Sequence, residues 1–152
     1  MKKTYKKLGN ILYILLLPFI RILIKKTTRA YVAIEHEGRV LLIKNWLARD
    51  TWRFPGGGLR KEESPRQAVA REVKEELRII IDPSKLVEVH TGIHQVDNLG
   101  FKYHLFLYHI SIFPRLLVDG YEVTETSWVS KVPARVSDDI SEAMHLVSAK
   151  LV

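Results

Sequence analysis

The sequence contains no cysteine among its 152 residues. Disulfide bonds, thiolate metal ligands and a cysteine nucleophile are therefore excluded, and a reducing cytoplasm is compatible with this composition. Long apolar runs are also missing, because the run from Ile11 to Ile20 contains Pro18 and is followed directly by Arg21. A membrane-spanning helix needs about 20 apolar residues, so a span is disfavoured. The small-residue cleavage site of a secretory signal is missing too, which argues against secretion.

Acidic residues are absent from the first 29 positions, which hold eight of the 24 lysines and arginines. The other 123 residues carry 16 basic and 17 acidic side chains, so the net charge of +7 comes from this N-terminal segment and indicates no specific nucleic-acid site. Residues 1–29 are predicted to form a basic, apolar helix that contacts either a membrane interface or protein, including a second copy in a homodimer. The expected location is the cytoplasm, at the inner face of the membrane if this helix binds lipid.

The rest of the chain has the composition of one globular domain, which we expect over residues 30–152. Across the whole sequence 47% of the residues are apolar and 27% are charged, as is usual for a soluble fold. Two aliphatic runs, at residues 30–35 and 39–44, are joined by the tripeptide His36-Glu37-Gly38. This pattern predicts a β-hairpin at the start of the domain.

Later strands and a last helix are predicted from the same kind of pattern. The predicted strands cover residues 52–54, 79–81, 86–96, 101–113 and the segment Glu122 to Trp128, with a turn at residues 97–100. A C-terminal helix is predicted from Ser137, since apolar residues recur there at helical spacing: Ile140, Ala143, Met144, Val147 and Leu151.

The stretch from Pro55 to Ile79 reads PGGGLRKEESPRQAVAREVKEELRI and carries the chemistry. A capping box with proline at the first helical position predicts a helix that begins at Pro65 and ends near Leu77. At about 100° per residue, the carboxylates of Glu72, Glu75 and Glu76 share one arc of this helix. Like charges at this spacing destabilise a helix by a few tenths of a kcal/mol per pair, whereas Mg²⁺ prefers such oxygens as ligands. A solvated acidic face is the simpler interpretation, and the spacing of the surrounding residues decides against it.

That spacing, with Gly57, Glu63 and then Arg71-Glu72-Val73-Lys74-Glu75-Glu76, resembles the Nudix box of hydrolases that act on nucleoside diphosphates linked to another moiety. The resemblance covers Gly57 to Ile79 and departs from the usual pattern at Arg78, where a glycine is expected. A left-handed helix cap at Arg78 would cost about 1 kcal/mol, so the chain either accepts that conformation or leaves the helix differently.

The resemblance implies an α/β fold of the α+β type, a mixed β-sheet sandwiched between helices, and hydrolysis of a phosphoanhydride bond. Mg²⁺ is the implied cofactor, with Mn²⁺ as the alternative. The implied metal ligands are Glu72, Glu75, Glu76, the carbonyl of Gly56, and Glu122, with Glu125 as the competing choice for the last. The implied catalytic group is Glu72 as general base or further ligand, together with Arg71, which holds the carboxylates in register, and Glu75. Gly57 and Glu63 have structural roles.

Two other functions remain open at this level. A catalytically silent module would bind a nucleotide without turnover, although it has no need of all three helix carboxylates. A membrane-associated pyrophosphatase would act on lipid-linked or RNA 5′-end substrates through the basic segment at residues 1–29. The expected partner in either case is a nucleotide-type substrate, and fold-level analogy does not choose among nucleotides.

Overall fold

The computed structural model describes residues 27–46, 51–96, 99–118, 122–133, 136, 141 and 143–147. The strands are β1 (Arg29–His36), β2 (Arg39–Asn45), β3 (Gly56–Gly58), β4 (Val87–Val96), β5 (Leu99–His109) and β6 (Val123–Val129). The helices are α1 (Pro65–Leu77), a 3-10 turn (Pro83–Lys85) and C-terminal helical residues at 143–147. The predicted N-terminal helix lies almost wholly outside the described residues, so its contacts remain a prediction.

Strand β1 is the centre of the sheet, whose order is β4-β5-β1-β2-β6. It runs parallel to β5 from Arg29↔Tyr103 to Glu35↔His109 and antiparallel to β2 and β3, so the sheet is mixed, as predicted. The predicted hairpin is confirmed, with Glu37 and Gly38 turning at φ 48° and 73°. This left-handed conformation is the one that two-residue hairpin turns require.

Strands β1 and β2 pair only at the hairpin end, and the glycine strand β3 lies against the other half of β1. Gly56, Gly57 and Gly58 pair with Tyr31, Ala30 and Arg29, and the carbonyl of Pro55 accepts a hydrogen bond from Val32 N at 3.0 Å. The three glycines therefore form part of the sheet itself, directly beneath the end of α1.

Apolar side chains cover both faces of the sheet. On one face α1 packs Val69, Val73 and Leu77 against Val32 and Ile34. On the other, the C-terminal helical residues place Ala143, Met144 and Val147 over a second cluster. Burying each such Val or Leu contributes about 1.5–3 kcal/mol. This layered arrangement confirms the predicted sheet between helices, and the described helical residues bear out part of the predicted C-terminal helix.

Local signals predicted the ends of α1 correctly. Ser64 Oγ accepts a hydrogen bond from Gln67 N, Gln67 Oε1 accepts one from Ser64 N at 2.9 Å, and Pro65 is the first helical residue. At the other end, Arg78 adopts the left-handed conformation, with φ 60° and ψ 25°, and its N–H donates to the carbonyl of Lys74. The chain therefore accepts the strained cap, although glycine is absent.

Three of the strand predictions are wrong in part. Residues 79–81 form no strand, because Arg78 redirects the chain and leaves the Ile80 side chain 84% exposed. Trp52 and Arg53 make only isolated bridges, so the strand in this region is β3. β5 ends at His109 instead of residue 113, since β1 ends at His36 and offers no partner beyond it.

The remaining predictions differ by one or two residues. β4 begins at Val87, and Val96 pairs with Leu99, so Leu99 and Gly100 belong to β5 and not to the predicted turn. Glu122 comes one residue before β6, and β1 begins one residue before the predicted domain boundary. No helix among the described residues is long and apolar enough to cross a membrane.

Candidate active site

Glu76 is the deepest polar side chain of the site, because the last turn of α1 presses it against β3. Its side chain is 1% exposed and forms a short ion pair with Arg53 Nη2. Its second oxygen accepts a hydrogen bond from Gly56 N at 3.0 Å. A buried carboxylate is tolerated only when it is paired and hydrogen-bonded, and Glu76 meets both conditions.

The environment of Glu76 raises the pKa of its carboxyl group from its usual 4.5 to about 7. Burial is the main cause, and the neighbouring carboxylates of Glu72 and Glu122 raise the pKa further, whereas Arg53 and Gly56 N lower it. The carboxyl groups of Glu72 and Glu122 are therefore close enough to Glu76 to disfavour its ionisation. A cation bound among them would favour the ionised forms of all three.

Gly56 occupies a position that no other residue fits. Its φ is +135°, and a Cβ there would lie 2.2 Å from the carbonyl oxygen of Ala30. This close approach to β1 orients the Gly56 carbonyl, which accepts a hydrogen bond from Arg53 Nη1 at 2.7 Å. The backbone N–H and C=O of Gly56 thus both belong to the network that Arg53 and Glu76 form.

Arg71 lies at the centre of a second network. Its Nε and Nη2 donate to the two oxygens of Glu63 at 2.8 and 2.9 Å, and its Nη1 donates to Glu72 at 2.7 Å and to Glu75 at 3.1 Å. These carboxylates, Glu63 foremost, raise the pKa of the Arg71 guanidinium above its ordinary value. The carbonyl of Gly58 accepts a further bond from Nη2 at 3.0 Å. Arg71 therefore joins α1, the loop before it and β3.

Gly57 makes room for Glu72. A Cβ at Gly57 would lie 2.6 Å from Glu72 Oε1, whereas nothing lies within 4 Å of the corresponding position at Gly58. The Glu72 carboxylate thus rests directly on the backbone of β3. This contact gives a physical reason for glycine at position 57.

Glu122 and Glu125 are placed differently relative to the carboxylates of α1. Glu122 stands just before β6, where its carbonyl accepts a hydrogen bond from Trp46 N, and its carboxylate is close enough to raise the pKa of Glu76. Glu125 pairs across the strands with Lys44, at 3.1 Å, on the face that carries the C-terminal helical residues. The structure thus brings Glu122 to the carboxylate group of α1 and directs Glu125 away from it.

Two arginines of the candidate site have no predicted role. Arg53 is predicted only as part of the strand at residues 52–54, and nothing is predicted for Arg60, yet Arg53 binds Glu76 and Arg60 Nη2 donates to Glu75 at 3.1 Å. The available signal was electrostatic, because clustered carboxylates that fold without a cation need guanidinium partners. Sequence spacing alone did not reveal which arginines supply them.

The donor set fits a divalent cation in its charge and its chemistry. The carboxylates of Glu63, Glu72, Glu75 and Glu76 accept hydrogen bonds from the guanidinium groups of Arg53, Arg60 and Arg71, and Glu122 lies near enough to raise the pKa of Glu76, so several acidic groups share one site. Carboxylate and carbonyl oxygens are the ligands that Mg²⁺ and Mn²⁺ accept. In the described residues no three acidic or histidine side chains already stand in a metal-binding arrangement, because the arginines hold them.

Known proteins resemble this chain in both sequence and fold. The family model described as NUDIX domain matches residues 25–148. The CTP pyrophosphohydrolase of Escherichia coli (strain K12) is 35% identical over 100 residues, which are 64% of this chain and 70% of that protein. The RNA pyrophosphohydrolase of Hahella chejuensis is 44% identical over 46 residues, 30% of this chain, and the match spans only 27% of its length.

A solved structure has a fold similar to that of this chain. The crystal structure of a MutT NUDIX hydrolase from Burkholderia pseudomallei is 24% identical in sequence and superimposes with a TM-score of 0.66. The alignment covers 80% of this chain and 97% of that one. Together with the family match over most of the sequence, this likeness confirms the predicted fold, and the chain belongs to the Nudix hydrolase family.

Proposed function

We propose that this protein hydrolyses a phosphoanhydride bond in a nucleoside diphosphate linked to another moiety, with Mg²⁺ or Mn²⁺ as cofactor. The observation that carries the proposal is the placement of Glu76 against the backbone of Gly56 and of Glu72 against that of Gly57. Glu122 lies near enough to raise the pKa of Glu76. Hydrolases of this family generally use divalent metal ions. A bound ion neutralises phosphate oxygens and lowers the pKa of the attacking water.

The other proposed roles are those of metal ligand and general base. Glu76, Glu75, Glu122 and the Gly56 carbonyl are the proposed metal ligands. Arg53 lowers the pKa of Glu76 against the effect of burial and orients its carboxylate. Glu72 is the proposed general base or further ligand, because its carboxylate lies against Gly57, next to the residue that positions Glu76. Proton transfer of this kind contributes typically 10²–10⁴-fold to a rate.

Arg71 and Glu63 are proposed to act on the reaction through the other residues. Arg71 holds Glu72 and Glu75 in register through Nη1, and Glu63 holds Arg71 through both of its oxygens. An error of about 1 Å in the position of a catalytic group can cost roughly 100-fold in rate. Loss of either positioning residue is therefore expected to lower the rate of turnover.

The proposed substrate class rests on similarity alone, so it needs a direct test. The relative from E. coli is named a CTP pyrophosphohydrolase, and the relative from H. chejuensis an RNA pyrophosphohydrolase. A panel of CTP and other nucleoside triphosphates, ADP-ribose, dinucleoside polyphosphates, sugar nucleotides and 5′-triphosphorylated RNA, assayed with Mg²⁺ and with Mn²⁺, would identify the preferred compound.

The decisive variant is Glu76→Gln, which keeps the shape of the side chain and removes its charge. We expect at least a hundredfold loss of kcat with the best substrate of the panel, while circular dichroism shows the native fold. Glu62→Gln is the matched control, because the Glu62 side chain is 86% exposed and lies 3.8 Å from Lys61. Full activity of Glu76→Gln would refute the assignment. Nucleotide binding by the wild type without turnover would instead indicate the silent module.

The N-terminal segment adds a second question, about location. We propose that the protein is cytoplasmic and that residues 1–29, with eight basic and no acidic side chains, contact anionic lipid or a second copy. Flotation with anionic liposomes at low salt tests the first contact, and sedimentation of the lipid-free protein tests the second. A monomer that ignores liposomes would exclude both.

A further inference from the structure

A basic pocket lies beside the candidate active site, along α1 and the segment that follows it. The cavity has a volume of about 450 Å³, which is in the range of small-molecule sites. Its lining includes Arg60, Arg71, Lys74 and Arg78, with Glu75 as the acidic member and Ile80 at an exposed, apolar edge. Four positive groups against one carboxylate make this cavity a candidate site for an anion.

Two of the four cations are uncommitted. Arg71 is occupied by Glu63, Glu72 and Glu75, and Arg60 shares Glu75 with it. In the described part of the chain, the side chains of Lys74 and Arg78 have neither an ion pair nor a hydrogen bond. They stand one helical turn apart, where like charges repel, so an anion between them would turn a repulsion into two attractions.

The backbone of Arg78 supports a role for this side chain. With φ 60° and ψ 25°, Arg78 holds a conformation that favours glycine, and glycine is what the Nudix box has at this position. A residue that keeps an unfavourable conformation is a reasonable candidate for function. At Arg78 the result is a guanidinium at the edge of the cavity.

The pocket also includes Glu75, a carboxylate of the candidate active site. Glu75 is a proposed metal ligand, and its two oxygens are held by Arg60 and Arg71, both of which line the cavity. Glu75 thus belongs both to the proposed metal site and to the lining of this cavity. We propose that this pocket binds additional phosphates of a polyphosphorylated substrate, an inference that rests on the proposed function.

Direct binding tests the pocket without catalysis. Isothermal titration calorimetry with inorganic tripolyphosphate, in EDTA and at low salt, would compare the wild type with Lys74→Gln/Arg78→Gln. We expect about tenfold weaker binding by the double variant, and weaker binding by the wild type as salt is added. The matched control is Lys85→Gln/Lys131→Gln, which removes the same charge from two exposed positions outside the cavity. Equal affinities of the wild type and the Lys74/Arg78 variant would overturn the proposal.

Kinetics tests the link to the substrate. The ratio of kcat/KM for diadenosine tetraphosphate to that for ADP-ribose measures the preference for additional phosphates. In Lys74→Gln/Arg78→Gln this ratio should fall about tenfold, through KM, and in the control it should not change. A ratio that is the same in all three proteins would overturn the proposal. If neither compound nor any other nucleotide is hydrolysed while tripolyphosphate still binds, the proposed function fails and the anion site stands.

A lipid head group could supply the same phosphate chemistry from another source. Sedimentation with phosphatidylglycerol vesicles would separate the two sources. Vesicle binding that needs Lys74 and Arg78, without affinity for tripolyphosphate, would assign the pocket to the membrane and overturn the assignment to substrate. Tripolyphosphate binding without vesicle binding by these residues supports the assignment to substrate.

Discussion

Arg71 donates two parallel hydrogen bonds to Glu63, from Nε to Oε1 at 2.8 Å and from Nη2 to Oε2 at 2.9 Å. The two side chains are only 16% and 13% exposed, so water competes weakly for this pair. The bonds from Arg71 are the main reason why the pKa of Glu63 falls from its usual 4.5 to about 2. Through this contact the loop before α1 is fixed to the middle of the helix.

Replacing Glu63 by Gln should therefore destabilise the protein in a pH-dependent way. The pKa of Glu63 is lower in the folded protein than in the unfolded chain, so its stabilisation is complete above about pH 4.5 and is lost as the pH falls toward 2. At pH 7 we expect Glu63→Gln to lower the free energy of unfolding by about 1.5–3 kcal/mol. Urea denaturation at pH 7 and at pH 2.5 measures both values.

The control for this experiment is Glu62→Gln, since the Glu62 carboxylate is exposed and lies 3.8 Å from Lys61. Exposed pairs of this kind contribute about 0–1 kcal/mol, and the control should unfold almost like the wild type at both pH values. A difference between wild type and Glu63→Gln that stayed the same at pH 7 and pH 2.5 would contradict the ion-pair explanation.

Gly57→Ala should impair activity much more than stability. The new Cβ would lie 2.6 Å from Glu72 Oε1, and the flexible end of that side chain can move away at little cost to the fold. Displacing the proposed base should lower kcat about 10–100-fold. Gly58→Ala is the matched control, because nothing lies within 4 Å of its Cβ position. Equal activities of the two variants would show that the contact with Glu72 is unimportant.

Gly56→Ala should, in contrast, strongly reduce the stability of the fold. Its Cβ would lie 2.2 Å from the carbonyl oxygen of Ala30 and 2.8 Å from the Cα of Tyr31, and neither backbone atom can move without distorting β1. The φ of +135° adds strain for any residue with a side chain. We expect a loss of about 3 kcal/mol or more in the free energy of unfolding. A melting temperature close to that of Gly57→Ala would contradict this explanation.

The sequence predicted best the features that depend on neighbouring residues. The ends of α1 follow from Ser64, Pro65 and the periodic apolar residues, all of which act within a few positions. Strand β3 could not be predicted in this way, because three glycines carry no strand propensity. It forms because β1 and β2 pair only at their hairpin end and leave the other half of β1 for Gly56–Gly58.

In the candidate site, too, some features depend on residues close in sequence and others on residues far apart. The arc of Glu72, Glu75 and Glu76 is a matter of helical spacing, so the sequence contains it. The partnership between Arg53 and Glu76 joins residues 23 positions apart, and it exists only because β3 and the end of α1 meet. The choice between Glu122 and Glu125 likewise depends on the face of β6, which the irregular register at Asn45 helps to set.

Replacing Arg78 by Gly should stabilise the protein, since the cap of α1 has a left-handed conformation that glycine adopts without strain. Relief of the strain is worth about 1 kcal/mol, and the greater freedom of glycine in the unfolded chain offsets part of it. Arg78→Ala is the control, because it removes the same charge and keeps the strained backbone. In urea denaturation we expect Arg78→Gly to be more stable than Arg78→Ala by about 0.5–1 kcal/mol. Equal stabilities would mean that any gain comes from removing the repulsion between Arg78 and Lys74, and the backbone explanation would then be wrong.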